Sequence, residues 1–372
     1  MAKDQLAVSV IGSGPLSLSI AGQLAHRGAE VTYVDLSAQA SASPEPVIRF
    51  RGAVEYDAHL AGVTRDLGGV GGGVGVGTRA GAGGADLVLV AVTPSYYDRI
   101  FSHLADSLRD GQVIAFFPAS FGALTFRAFL KARRPGVEVT ICEVVSFPYV
   151  CDLRPDGTVF VHGIKKELRA AVSPTSQTGP VLATLNRYLD ILIPAKSFLE
   201  TSLDNMNMTL HPLPVLLNLH ATETAPATFR HFIDGVTPSI GRLLEKLDAE
   251  RMAIGRAYGL SLTSAIDQLK TYYGDRGRDT IAEYVTAPDG PYPNVKGFGI
   301  RSRYVTEDVP YLVVAGLSLA DAAGVPAPTM ELCVQLASAI MDVDYRSSGY
   351  TLARLGLEGL DREGILAAVG EN

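Results

Sequence analysis

The run Val8-Ser9-Val10-Ile11-Gly12-Ser13-Gly14-Pro15-Leu16-Ser17 restricts the fold of this chain more than any other segment. Its first residues are small or β-branched and read as a buried strand over 7–11, and a helical pattern follows over 16–27. Two glycines separate them. Gly12 permits the tight turn between strand and helix, and Gly14 lets the backbone come close to a bound phosphate. The helix amino terminus then offers N–H groups without intrahelical acceptors and a partial positive charge, so the backbone alone builds an anion site. Ser17 stands where the usual G-x-G-x-x-G/A pattern has its third glycine or alanine.

Context turns that anion site into a dinucleotide site. A second strand over 30–35 ends at Asp35, twenty-one residues beyond Gly14. A carboxylate there accepts hydrogen bonds from the adenosine ribose hydroxyls and repels a 2′-phosphate. The plainer reading of Asp35 is a turn residue at a strand end. The apolar run over 86–92 leads into Thr93-Pro94 at the sheet edge where such folds hold the cofactor. The expected cofactor residues are therefore Gly12, Ser13, Gly14, Pro15, Leu16, Asp35, Thr93 and Pro94, with NAD(H) favoured over NADP(H).

Further strands are expected over 113–117 and 137–142, with helices over 95–108 and 122–131. Apolar strands alternating with helices indicate a parallel sheet covered on both faces. Short strands over 143–149 and 158–163 are expected to extend or cap that sheet. Ten of the seventeen residues from 68 to 84 are glycine, too little apolar mass for a core, and read as a surface connection. Beyond about residue 175 helical patterns take over: 179–192, 199–223, 238–258, 262–273, 309–323 and 328–341, the fifth ending at the Gly324…Pro326 stop. The fold class is an α/β Rossmann-type domain with a mostly parallel sheet over 1–180, followed by an all-α C-terminal domain over 181–372.

Composition narrows the function. With 372 residues, 47% hydrophobic and 19% charged, the chain has the make-up of a globular protein with two cores. A net charge of −7 argues against nucleic-acid or anionic-membrane partners. No apolar stretch suits a secretory signal or a membrane span. Cys142, Cys151 and Cys333 are widely spaced and odd in number, which suits a cytoplasmic protein with neither disulfides nor a metal site.

The catalytic candidates lie in the helical half. In Asp204-Asn205-Met206-Asn207-Met208-Thr209-Leu210-His211-Pro212-Leu213-Pro214, an ideal helix would put Asn207, His211 and the later Asn218 on one face. Pro212 biases His211 away from helical geometry and removes a backbone donor, so a kink is expected. His211 then suits a positioned acid/base, or equally a hydrogen-bonded core histidine. His162, His220 and His231 have weaker surroundings. In Arg301-Ser302-Arg303-Tyr304-Val305-Thr306-Glu307-Asp308-Val309-Pro310, Asp308 reads as a helix cap or as a partner carboxylate, and Arg303 as a surface charge or as a holder of a substrate carboxylate. Spacing does not show that His211 and Asp308 meet.

Four blocks together resemble the octopine/nopaline (opine) dehydrogenase family. They are the Gly12/Gly14 turn, Glu143…Pro148-Tyr149 with Gly163 and Lys165-Lys166, Asn207-x-x-x-His211-Pro212, and Arg303-Tyr304…Glu307-Asp308-Val309-Pro310 continued by Ala323-Gly324-Val325-Pro326. The resemblance implies a Rossmann domain and a helical domain with the active site in the cleft between them. It also implies reductive condensation of an α-keto acid with an amine, usually that of an amino acid. It maps a catalytic histidine to His211, its carboxylate to Asp308 and an asparagine to Asn207. Small-molecule keto acid and amine are then the partners, with a homodimer as the assembly considered. Simple reduction of a keto acid, or dinucleotide sensing without catalysis, are the alternatives that these residues leave open.

Overall fold

The computed structural model describes residues 5–37, 46–65, 84–225, 227–293, 295–297 and 299–370. Residues 68–83 of the glycine tract, and the surface connection expected there, lie outside them. Two compact units divide the chain, the first running to Thr201 and the second beginning at Ser202.

The first unit carries twelve strands among its described residues: β1 (Ala7–Gly12), β2 (Glu30–Asp35), β3 (Val47–Gly52), β4 (Tyr56–His59), β5 (Gly62–Thr64), β6 (Leu87–Ala91), β7 (Val113–Phe116), β8 (Thr140–Val144), β9 (Tyr149–Leu153), β10 (Val159–Ile164), β11 (Leu168–Ser173) and β12 (Leu192–Pro194). Eight of them form one sheet in the order β12-β11-β8-β7-β6-β1-β2-β5. From β5 to β8 every pairing is parallel, and β11 joins β8 antiparallel. The central strands β1 and β6 are buried along their whole length, which is why they read as unbroken apolar runs. The chain leaves β1 towards β2 on one side and returns to β6 on the other. The strand order therefore switches direction between β1 and β6, where open α/β sheets bind ligands beyond the strand carboxyl ends.

Two sequence expectations need correction here. Residues 143–149 are not one strand: Glu143 and Val144 complete β8, and β9 starts only at Tyr149. Residues 159–164 do not extend the main sheet either, but pair with β3 and β9 in a separate four-stranded sheet, β4-β3-β10-β9. That sheet packs its β4 and β9 against the helix Pro15–His26, with His26 and Tyr56 stacked 3.9 Å apart. β11 and β12 pair within the main sheet, and the two compact units divide between Thr201 and Ser202. The segment 179–192 accordingly holds a shorter helix, Thr178–Asn186, and then the start of β12.

In the second unit the described residues form helices and one isolated bridge, Arg230 with Lys296. Its longest helix, Pro238–Ala257, starts with Thr237 accepting the Ile240 N–H and proline at the first position. On that helix Arg251 is fully buried and satisfied. It meets Asp248 at 2.8 Å and Asp204 at 3.1 Å, and donates to the Leu203 carbonyl at 2.9 Å. This network fixes the start of the segment that carries Asn207 and His211. A buried guanidinium stripped of either carboxylate would cost several kcal/mol, about 3–5 by precedent. No helix among the described residues is long and apolar enough to cross a membrane.

Candidate active site

Gly12 ends β1 and pairs in register with Asp35 of β2 on one side and Ala91 of β6 on the other. The glycine turn therefore sits at the switch point, flanked by the ends of both neighbours. The helix Pro15–His26 opens directly behind it, with Gly14 as cap residue and proline in the first turn. Ser17, the departure from the usual glycine pattern, has a structural reason. Its hydroxyl donates to the Gly14 carbonyl at 2.7 Å, accepts the Gly14 N–H at 3.1 Å, and lies 2.8 Å from the buried Tyr33 hydroxyl. Burial pushes the Tyr33 phenol well above its ordinary range, so it stays protonated in this contact.

The two glycines do different work. A Cβ on Gly12 would lie 2.2 Å from Ser17 Cβ and 2.8 Å from the Tyr33 hydroxyl, so no larger residue fits there. A Cβ on Gly14 would meet nothing within 4 Å. The space before Gly14 is open, as an approaching pyrophosphate requires. Asp35 is buried at the end of β2, where its Oδ1 accepts the Ser37 N–H at 3.0 Å. Its Oδ2 accepts no hydrogen bond and faces Arg65 Nε at 3.6 Å. Thr93 and Pro94 follow β6, with Pro94 opening a short 3₁₀ turn into the helix Tyr97–Ser107.

The expected helix over 199–223 is four short helices, Phe198–Leu203, Asn207–Leu210, Pro212–Leu216 and Leu219–Thr224, and Pro212 opens the third. In the second unit, His211 is the hinge between Asn207–Leu210 and Pro212–Leu216. It keeps a right-handed conformation, φ −101° and ψ −54°, so Pro212 stretches its backbone rather than expelling it from the helical region. The shared face of Asn207, His211 and Asn218 is lost. The Asn218 amide instead donates to the carbonyls of Pro214 and Gly235. Asn207 stays one turn ahead of His211, its carbonyl accepting the His211 N–H at 3.0 Å.

The structure brings His211 and Asp308 together. His211 Nδ1 lies 2.7 Å from Asp308 Oδ2, and both residues are buried. A carboxylate only accepts, so the ring proton sits on Nδ1 and the Nε2 lone pair is left for other use. Burial lowers the His211 pKa below the ordinary value, with Arg303 pushing the same way against the pull of Asp308. The imidazole is therefore neutral near neutral pH. Asp308 does not cap the following helix. It opens a π-type turn, Asp308–Val313, that runs into the helix Val314–Ala323.

Two residues without an assigned role complete this cluster. Tyr304 stacks on the His211 ring at 3.8 Å and 10°. It stands four residues before Asp308, so one face of this helical run supplies both the stack and the carboxylate. His231, fully buried, sets its ring edge against Tyr304 at 4.7 Å and places Nε2 3.3 Å from the Leu210 carbonyl. That carbonyl needs a donor because Pro214 has no N–H to give it. Burial pushes His231 down to about 3, with His211 adding to the effect. Arg303 is exposed, with its guanidinium 5.1 Å over the Tyr304 ring and no ion pair among the described residues.

A strand–glycine–helix cradle at a switch point in one unit and a buried histidine–carboxylate pair in the other are the parts of a nucleotide-dependent dehydrogenase. Residues 194–341 match the family described as NAD/NADP octopine/nopaline dehydrogenase, alpha-helical domain. The chain is 34% identical over 370 residues to an opine dehydrogenase of Arthrobacter sp. (strain 1C), covering 97% of this chain and 98% of that one. Its fold is similar to that of octopine dehydrogenase solved with NADH and L-arginine (TM-score 0.72, 19% identity, 99% and 98% coverage). It is also similar to yersinopine dehydrogenase with NADP+ bound (TM-score 0.70, 14% identity, 99% and 98% coverage). The chain belongs to the opine dehydrogenase family, whose members are NAD(P)-dependent oxidoreductases acting on CH–NH bonds.

Proposed function

We propose that this protein, acting in the cytoplasm, condenses an α-keto acid reductively with the amine of an amino acid or related metabolite. The observation that carries the reading is the buried 2.7 Å contact between His211 Nδ1 and Asp308 Oδ2. The relatives named above act in the same class of chemistry, and its three cysteines are free thiols.

Gly12, Ser13, Gly14, Pro15 and Leu16 would hold the pyrophosphate, Asp35 the adenosine ribose, and Thr93 with Pro94 the rim of the same crevice. Open space before Gly14 and an unsatisfied, buried Asp35 oxygen fit that ligand. When bound, the nicotinamide supplies the hydride that ends the reaction. The remaining work is proton management by this chain. His211 Nε2 takes the proton that the amine nitrogen loses as it bonds to the keto carbon. Asp308 steadies the imidazolium and keeps the ring in one tautomer. The imidazolium returns that proton to the former keto oxygen, giving the carbinolamine hydroxyl. Reprotonated from solvent, the ring then protonates this hydroxyl, which leaves as water. The nitrogen keeps its second proton and forms the protonated imine that takes the hydride. Tyr304, stacked on the ring, keeps the imidazole in plane through these transfers. Arg303, exposed and without a carboxylate partner among the described residues, would grip the keto-acid carboxylate bidentately. Asn207, one turn before His211, offers its side-chain amide to the same substrate.

The test follows nicotinamide absorbance with keto acid alone, amine alone and both together. Oxidation of NAD(P)H that requires both substrates supports the reading. Equal rates without amine would replace it with plain keto-acid reduction.

A further inference from the structure

The ribose end of the dinucleotide cradle holds a charge pair where the fold needs only an acid. β2 and β5 run parallel with Val34 opposite Thr64, so the next residues, Asp35 and Arg65, emerge side by side. Arg65 Nε lies 3.6 Å from Asp35 Oδ2; Asp35 is 4% exposed and Arg65 40% exposed. That Asp35 oxygen accepts no hydrogen bond. A lone carboxylate here selects against a 2′-phosphate by repulsion. An adjacent guanidinium cancels that repulsion and has the fork geometry that phosphate oxygens accept. A ribose hydroxyl that donates to Asp35 must share the oxygen with Arg65.

We infer that Arg65 is the specificity-determining residue for the 2′-position of the cofactor, and that its pairing with Asp35 lets this protein take NADPH as well as NADH. The inference rests on the dinucleotide reading above and names the residue that sets the preference between the two nucleotides.

Binding, not turnover, tests it. The fluorescence of NADH and of NADPH is titrated against wild type, Arg65→Gln, Arg65→Lys and Asp35→Asn. In wild type both nucleotides bind. Arg65→Gln raises the ratio of the NADPH Kd to the NADH Kd about tenfold or more, the scale of one lost charge-assisted contact. Arg65→Lys, which keeps the cation but loses the fork, gives a ratio between those of wild type and Arg65→Gln, and Asp35→Asn lowers the ratio below wild type. An unchanged ratio in Arg65→Gln, or NADH binding without NADPH binding in wild type, overturns the role of Arg65 and leaves the dinucleotide site standing. Failure of both nucleotides to bind wild type overturns the site and the inference together.

Discussion

Asp308 Oδ2 meets His211 Nδ1 at 2.7 Å across ninety-seven residues of sequence, in a setting from which most solvent is excluded. The contact fixes which ring nitrogen carries the proton, and so which one is free to act as a base. The His211→Ala variant removes the proton carrier. We expect its turnover to fall by roughly 10²–10⁴-fold, the usual contribution of a positioned acid/base, while the NADH Kd holds. Asp308→Asn keeps the shape but allows the other tautomer, and its loss should be of similar order, about 10⁴ at most by precedent. Steady-state rates alongside nucleotide titration check both. Wild-type turnover in either variant removes the pair from the mechanism.

The two glycines of the turn should fail in different ways. Gly12→Val drives a side chain into Ser17 and Tyr33, and its melting temperature should fall by the equivalent of about 1–3 kcal/mol. Gly14 has extended backbone, φ −179°, and open space, so Gly14→Val should fold like wild type. Its side chain would occupy the place of the pyrophosphate, and the NADH Kd should rise about tenfold or more, the scale of a lost hydrogen bond to a charged group. Thermal unfolding and nucleotide titration of both variants separate the two effects. Tight NADH binding by Gly14→Val would show that the phosphate lies elsewhere.

His231 makes stability sensitive to acid. Its folded pKa is pushed down to about 3, whereas an unfolded histidine titrates near about 6.5. The lowered value means that the unfolded chain binds the proton first. The stability tied to a neutral His231 is therefore complete above about pH 6.5 and lost as pH falls towards 3, at about 1.4 kcal/mol per pH unit. His231→Gln can still donate to the Leu210 carbonyl but does not titrate. Urea unfolding between about pH 7 and 5 should show wild type losing stability faster than this variant. Parallel curves would mean that His231 is not held neutral.

Much of the nucleotide unit was legible because its signals are local. The apolar runs of β1, β2 and β6 and the turn between Gly12 and Gly14 each declare themselves within a dozen residues. The second sheet was not legible, since β3 and β10 pair over a hundred residues apart and only their pairing distinguishes them from extensions of the main sheet. In the helical unit, the break at Pro212 could be read from proline chemistry. What His231 does could not, although a clue was present: Pro214 orphans the Leu210 carbonyl, which calls for a donor from elsewhere in the chain. Nothing local assigns Tyr304 a role, because its stacking depends on a ring brought in from residue 211. The spacing of Tyr304 and Asp308 by four residues was the available signal that one helical face serves one partner.

The identity of the product tests the central claim most directly. Wild-type protein is incubated with NADH or NADPH, an α-keto acid and an amino acid, and the mixture is analysed by mass spectrometry. The account predicts a secondary amine whose mass is that of keto acid plus amine, less one water and plus two hydrogens, formed only when both substrates are present. A 2-hydroxy acid as the sole reduced product, made equally well without the amine, would contradict it.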